Sequence, residues 1–88
     1  MGELRLAETV SIVNDEHGAV LLNTSDASMF GLNPSAAVFC AALASGSGRQ
    51  EATRAVHEAF DADESVIRSD IEALVVELAR RNLIVGAQ

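Results

Sequence analysis

The 88-residue chain has room for one domain and one modest core, too little for a deep enzymatic cleft. It is 49% hydrophobic, much of that alanine, with three phenylalanines as its only aromatics, which favours a folded domain with close, light helix packing over a disordered chain. A formal charge of −7, from 13 acids against 6 arginines and no lysine, argues against a phosphate-backbone ligand; it fits either plain solubility or a partner carrying some positive charge.

The segment Met1-Gly2-Glu3-Leu4-Arg5 lacks the basic and apolar regions of a signal peptide, and Gly2 has no Ser or Thr at position 6 to make an acylation site. No stretch reaches the roughly 20 apolar residues of a membrane span. The expectation is a cytoplasmic chain with no membrane partner.

Leu6 to Val13 reads as a strand, with Leu6, Val10 and Ile12 on one face and Thr9 and Ser11 on the other. Asn14-Asp15-Glu16-His17-Gly18 is a polar connection ending in glycine, as hairpin loops often do. Ala19 to Asn23 is a short apolar strand, Thr24-Ser25-Asp26-Ala27 a turn, and Ser28 to Leu32 a third strand. In that strand Phe30 and Leu32 share a face and Met29 takes the other. Short turns between three strands predict an antiparallel meander.

Asn33 and Pro34 then read as the cap and first residue of a helix over Pro34 to Ala44, since proline's missing N–H costs nothing at that position. Ala36, Phe39, Cys40 and Leu43 make its apolar face, and Gly46 ends it. Ser47 with Gln50 has the form of a capping box, opening a second helix that runs to about Phe60 with Ala52, Ala55, Val56, Ala59 and Phe60 inward. Either Asp61 or Asp63 caps a third helix, whose core stripe is Ile67, Ile71, Leu74 and Leu78. Arg80 and Arg81 suit its last turn, and Asn82 can take the left-handed conformation that stops it. Leu83, Ile84 and Val85 are placed to run back over the core. The fold class is α+β, three antiparallel strands followed by three helices in a single domain over residues 1–88.

No catalytic constellation emerges. Cys40, the only cysteine, sits on an apolar helix face and reads as a small core residue. His17 in a turn and His57 at the edge of a helix stripe do not make a metal-ligand spacing with it, so neither metal nor cofactor is expected. The acid pairs Asp15-Glu16 and Asp63-Glu64 fall where acids solvate turns and cap helices. Gly46 and Gly48 lack the spacing of a phosphate-binding loop.

Two surfaces exceed what a fold requires. On the third helix Val66, Asp70, Ala73 and Glu77 form a strip beside the core stripe, either an ordinary helix boundary or one wall of a groove for apolar and basic side chains. The third strand, Ser28 to Leu32, is a potential sheet edge with no charge or proline to blunt it, and Gly31 adds no side chain. An edge beside a groove is the geometry for binding an extended peptide by strand addition.

The order and spacing of several motifs resemble the PqqD-like family, the recognition element for ribosomally made, post-translationally modified peptides. The motifs are Gly18-Ala19-Val20-Leu21-Leu22, Phe30-Gly31-Leu32-Asn33, Ala36-Ala37, the break at Gly46, Phe60-Asp61, Ser69-Asp70-Ile71 with Leu74 and Leu78, and Arg80-Arg81-Asn82-Leu83-Ile84. The resemblance implies a winged helix-turn-helix and a non-catalytic adaptor that binds the leader segment of a precursor peptide. The leader would pair with Ser28, Met29, Phe30, Gly31 and Leu32. Val66, Asp70, Ala73, Leu74 and Glu77 would line its groove.

Within the family the chain looks most like the free-standing members of lasso-peptide pathways, which pass the precursor to a separate leader peptidase before a macrolactam-forming cyclase closes the ring. Thr24-Ser25-Asp26-Ala27 does not resemble the segment typical of pyrroloquinoline quinone pathways, although a leader binder of that kind stays an alternative. Lasso members often have glycine where Ala27 stands, so a positive φ there would strain it. A winged-helix DNA-binding regulator shares the fold class. However, Asp61 to Glu77 carries six acids and one arginine, the reverse of a nucleic-acid reader. A very small enzyme would need a nucleophile–base or ligand set that the sequence lacks.

Overall fold

The structure, a computed structural model, describes residues 3–16 and 18–86; the turn expected at His17 and the readings of Met1 and Gly2 lie outside the described residues. The elements in chain order are β1 (Arg5–Leu6), β2 (Val10–Asp15), β3 (Gly18–Asn23), β4 (Ser28–Leu32), α1 (Pro34–Ala44), α2 (Arg49–Ala59), α3 (Glu64–Arg80) and β5 (Ile84–Val85). β2, β3 and β4 form the antiparallel meander in that order. The register runs through Ile12↔Leu21↔Phe30 and Val13↔Val20↔Gly31. The first expected strand is in fact two. A turn at Glu8–Thr9 separates β1 from β2, and β1 pairs instead with β5 through Arg5↔Val85 and Leu6↔Ile84. Leu83 to Val85 therefore does return over the core, as a two-stranded ribbon. The hairpin is also tighter than its polar sequence suggested, with pairing extended to Asp15↔Gly18.

The helix ends follow from local chemistry. Asn33 Oδ1 accepts from the Ala36 N–H at 2.8 Å, and Pro34 occupies the first turn. At the other end the Gly46 N–H donates to Leu43 O and the Ser47 N–H to Ala42 O, with Gly46 at φ +101°, a left-handed glycine cap. Because the Ser47 N–H serves that cap, the start of α2 shifts by one residue from the expected box. Gly48 is the cap, and Glu51 rather than Gln50 accepts its N–H at 3.0 Å. α3 starts after Asp63, which makes no side-chain capping bond, and stops where Asn82 takes φ +60°.

The core lies between the inner sheet face and the helices. Leu21, Phe39, Cys40, Val56 and Leu78 are fully buried, joined by Val10, Leu43, Ala52, Ile67, Ile71 and Val75. All four expected α1 positions are buried. In α2 only Ala52 and Val56 are, while Ala59 is exposed. In α3 Val75 takes the core place expected for Leu74, and Leu74 turns half out. That one-residue rotation of the stripe matters for the site.

Candidate functional site

β4 is an edge strand. It pairs with β3 from Ala19↔Leu32 to Asn23↔Ser28, and no described strand occupies its other side. The turn before it is held at several points. The Thr24 N–H donates to Thr9 O at 2.9 Å, and the Ser25 N–H and hydroxyl both donate to the buried Asn23 Oδ1 at 3.0 and 2.9 Å. The Ser28 N–H donates to Asp26 Oδ1 at 3.0 Å, and hydrogen bonding from the Ser28 side chain and backbone holds the Asp26 carboxyl below the ordinary aspartate range. The same turn places Ala27 at φ +62°, a conformation that L-residues other than glycine, asparagine and aspartate rarely adopt.

Along the strand the faces alternate. Phe30 and Leu32 are half-buried toward the helices, whereas Met29 is 65% exposed on the outer face. Gly31 is also outward, and a Cβ built on it would meet nothing within 4 Å. The edge is therefore open to an approaching backbone.

Beside this edge lies a cleft of about 360 Å³. Its apolar floor is Phe30, Ala36, Val56, Ile67, Ile71 and Leu74, and its rim is Asn33, Ser35, Asp70, Ala73 and Glu77. β4, the first turn of α1, one residue of α2 and three turns of α3 thus converge on one space. Of the α3 residues expected at a groove, Asp70, Ala73, Leu74 and Glu77 line it. Val66 does not; it is 51% exposed one turn further toward the N-terminus. Asn33, Ser35, Ala36, Val56, Ile67 and Ile71 were not expected there. Asn33 caps α1 and Ala36 belongs to its buried face, and the folded chain makes both part of the cleft wall as well.

The charges at the rim are unequal. Glu77 is engaged by two arginines, with Arg81 Nε at 2.6 Å from Oε2 and Arg80 Nη1 at 3.0 Å from Oε1. The Arg81 hydrogen bond is the main cause that holds its carboxyl below the usual glutamate range. The Arg81 guanidinium also lies 5.0 Å from the centroid of the Phe30 ring, a cation–π contact that links the end of α3 to β4. Glu77 is consequently less available to a basic ligand than its place on the strip suggested. Asp70 is exposed and has no ion-pair partner among the described residues.

Other titratable candidates lie apart from this cleft. Cys40 is buried in the core, and burial pushes its thiol up to about 12, which leaves it an unreactive thiol at neutral pH. His57 is half-buried on α2, outside the residues that line the cleft.

Residues 18–84 match the family model described as coenzyme PQQ synthesis protein D (PqqD). No curated protein matches the chain. Among solved structures, the chain is similar to a lasso peptide synthetase B1 complexed with the leader peptide, at 24% identity and a TM-score of 0.78, covering 96% of this chain and 99% of that one. It is also similar to TbiB1 in complex with the TbiA(beta) leader peptide, at 20% identity and a TM-score of 0.82, covering 96% and 98%. These likenesses extend over nearly the whole fold.

Proposed function

The chain belongs to the PqqD family, and from that premise we propose that it is a non-catalytic adaptor for the leader segment of a ribosomally made precursor peptide. The observation that carries the reading is the unpartnered β4 edge opening directly onto the apolar cleft of α3. The leader adds to β4 as an antiparallel or parallel strand, exchanging backbone hydrogen bonds with Ser28 to Leu32. Its alternate side chains fall into the cleft, where Phe30, Leu74 and Ala73 receive apolar groups and Asp70 meets a basic one. The backbone bonds supply affinity for any extended chain, and the cleft supplies selection.

The role that follows is delivery. Holding the leader raises the effective concentration of the attached core peptide near a separate leader peptidase, and then a macrolactam cyclase, in a lasso-type pathway. Support for that pathway comes from the similar lasso peptide synthetase B1, and both similar structures are named as complexes with a leader peptide. A DNA-binding role is disfavoured by the six acids between Asp61 and Glu77.

The test is a binding titration with the leader of the precursor encoded beside this gene, against a scrambled leader. Sequence-dependent binding at micromolar concentration or tighter is expected, about −8 kcal/mol. A folded Met29→Pro variant, which disrupts the edge, should lose most of it. Full affinity in that variant would end the strand-addition reading, and indifference to scrambling would end the leader reading.

A further inference from the structure

A second cleft, of about 800 Å³, lies between α2 and the first turns of α3, away from β4. Three of the chain's six arginines line it: Arg49 and Arg54 from α2, and Arg68 from α3, with His57 beside them. Of the remaining three, Arg80 and Arg81 hold Glu77, and Arg5 lies in β1. Only two of the 13 acids line the cleft, Glu64 and Glu72. The lining thus has one positive charge in excess, in a chain whose formal charge is −7.

Both of those acids are engaged. Arg49 Nη2 spans the gap between the helices to Glu72 Oε2 at 3.4 Å, and Arg68 Nη2 meets Glu64 Oε2 at 2.7 Å along α3. The Arg68–Glu64 pair is exposed, while Arg49 is half-buried and reaches an exposed Glu72, and ion pairs that meet solvent contribute little to stability. Arg54 is exposed and has no carboxylate partner among the described residues. Ile71 supplies an apolar floor. Packing does not call for this collection of charge, since α2 buries only Ala52 and Val56.

We propose that the α2–α3 cleft is a second docking surface, and that it takes a short acidic segment of a partner protein. Guanidinium groups pair with carboxylates through two parallel N–H···O bonds, so Arg54 offers a ready first contact. Carboxylates on either side of it then compete with Glu72 for Arg49 and with Glu64 for Arg68. An apolar residue of the segment rests on Ile71. A nucleic-acid strand is a poor occupant, because a long run of phosphates meets the repulsion of the whole acidic chain, whereas a few carboxylates meet only the local excess. Ile71 is the one residue that lines both clefts, which lie on opposite flanks of the buried stripe of α3. The two surfaces can therefore be filled together, and the proposal does not depend on what β4 binds.

The test is an amide NMR titration of the full chain with hexaglutamate capped at both ends, at low salt, with capped hexalysine and inorganic phosphate as comparisons. Saturable shifts confined to residues 49–57 and 64–72 are expected with hexaglutamate alone. Arg54→Glu combined with Arg68→Glu should weaken that binding about tenfold or more while leaving leader affinity unchanged. If the double reversal impairs folding, Arg54→Gln removes a single unpartnered charge and should still lower the affinity. Absent shifts, shifts centred on Arg80 and Arg81, equal shifts with phosphate, or binding unaltered in the variants would each overturn the proposal. Shifts that instead follow protein concentration would assign the cleft to a second copy of the chain and overturn it as well.

Discussion

Ala27→Gly isolates the strain in the turn that leads into the β4 edge. Ala27 sits at φ +62°, held there by the hydrogen bonds of Asn23, Thr24 and Asp26 around it. The left-handed region costs an L-residue about 1–2 kcal/mol, because Cβ crowds the following carbonyl. Glycine escapes that cost but gains freedom in the unfolded chain, which offsets about 0.4–1 kcal/mol. The net expectation is a stabilisation of about 1 kcal/mol, or a rise in Tm of about 4–8 °C for a domain of this size. The chain has no Trp or Tyr, so urea unfolding is best followed by far-UV circular dichroism. The midpoint should rise with an unchanged slope. Ala27→Val should move the midpoint the other way, since branching at Cβ worsens the same clash. Ser28 and the strand beyond keep their register, so leader affinity should change by no more than about twofold. A lowered midpoint in Ala27→Gly, with the slope intact, would show that strain at Ala27 is smaller than the unfolded-state offset and would refute the reasoning.

Asp70→Asn should reduce leader affinity about fivefold and flatten its salt dependence, because Asp70 is the rim carboxylate with no ion-pair partner among the described residues. Glu77→Gln should affect leader binding less, its carboxylate being taken by Arg80 and Arg81; the reverse order of the two variants would refute this account of the rim. Glu77 also carries a pH signature. Its folded-state pKa is lowered, so its contribution to stability is present above the unfolded glutamate value and disappears as pH falls through the folded one. Stability curves of the parent and Glu77→Gln should therefore converge toward low pH, and a gap that widened on acidification would contradict the ion pairs. The Cys40 thiol, pushed up to about 12, should resist maleimide labelling in the native protein at neutral pH and react in urea.

Much of the fold was legible because it is written in short-range chemistry. The α1 boundaries follow from Asn33, Pro34 and Gly46, whose effects reach only three or four residues along the chain. Asn82 stops α3 for a similar local reason. The period-two pattern of Ser28 to Leu32 fixed β4 and its faces. Where sequence reasoning missed, a distant partner had intervened. β1 leaves the line of β2 because Ile84 and Val85 offer it a separate ladder, some 80 residues later in the chain. Ser47 is not the cap of α2 because its N–H is already committed to α1. Leu74 yields the core to Val75 because the rotation of α3 is set by what it packs against, and a helical stripe read from sequence tolerates an error of one residue.

The same division runs through the site. By itself the sequence determined an unblunted edge at Ser28 to Leu32, an acidic strip at Asp70 and Glu77, and a chain without the charge to read nucleic acid, since these depend on residue type and periodicity alone. Tertiary structure decided that Val56 and Ala36 close the cleft, that Val66 stands outside it, and that Arg81 takes Glu77 and Phe30 together. It also gathered Arg49, Arg54 and Arg68 around one gap between two helices. Each of these joins side chains from separate elements, and the angles at which elements pack follow from the whole core, which no local pattern of residues encodes.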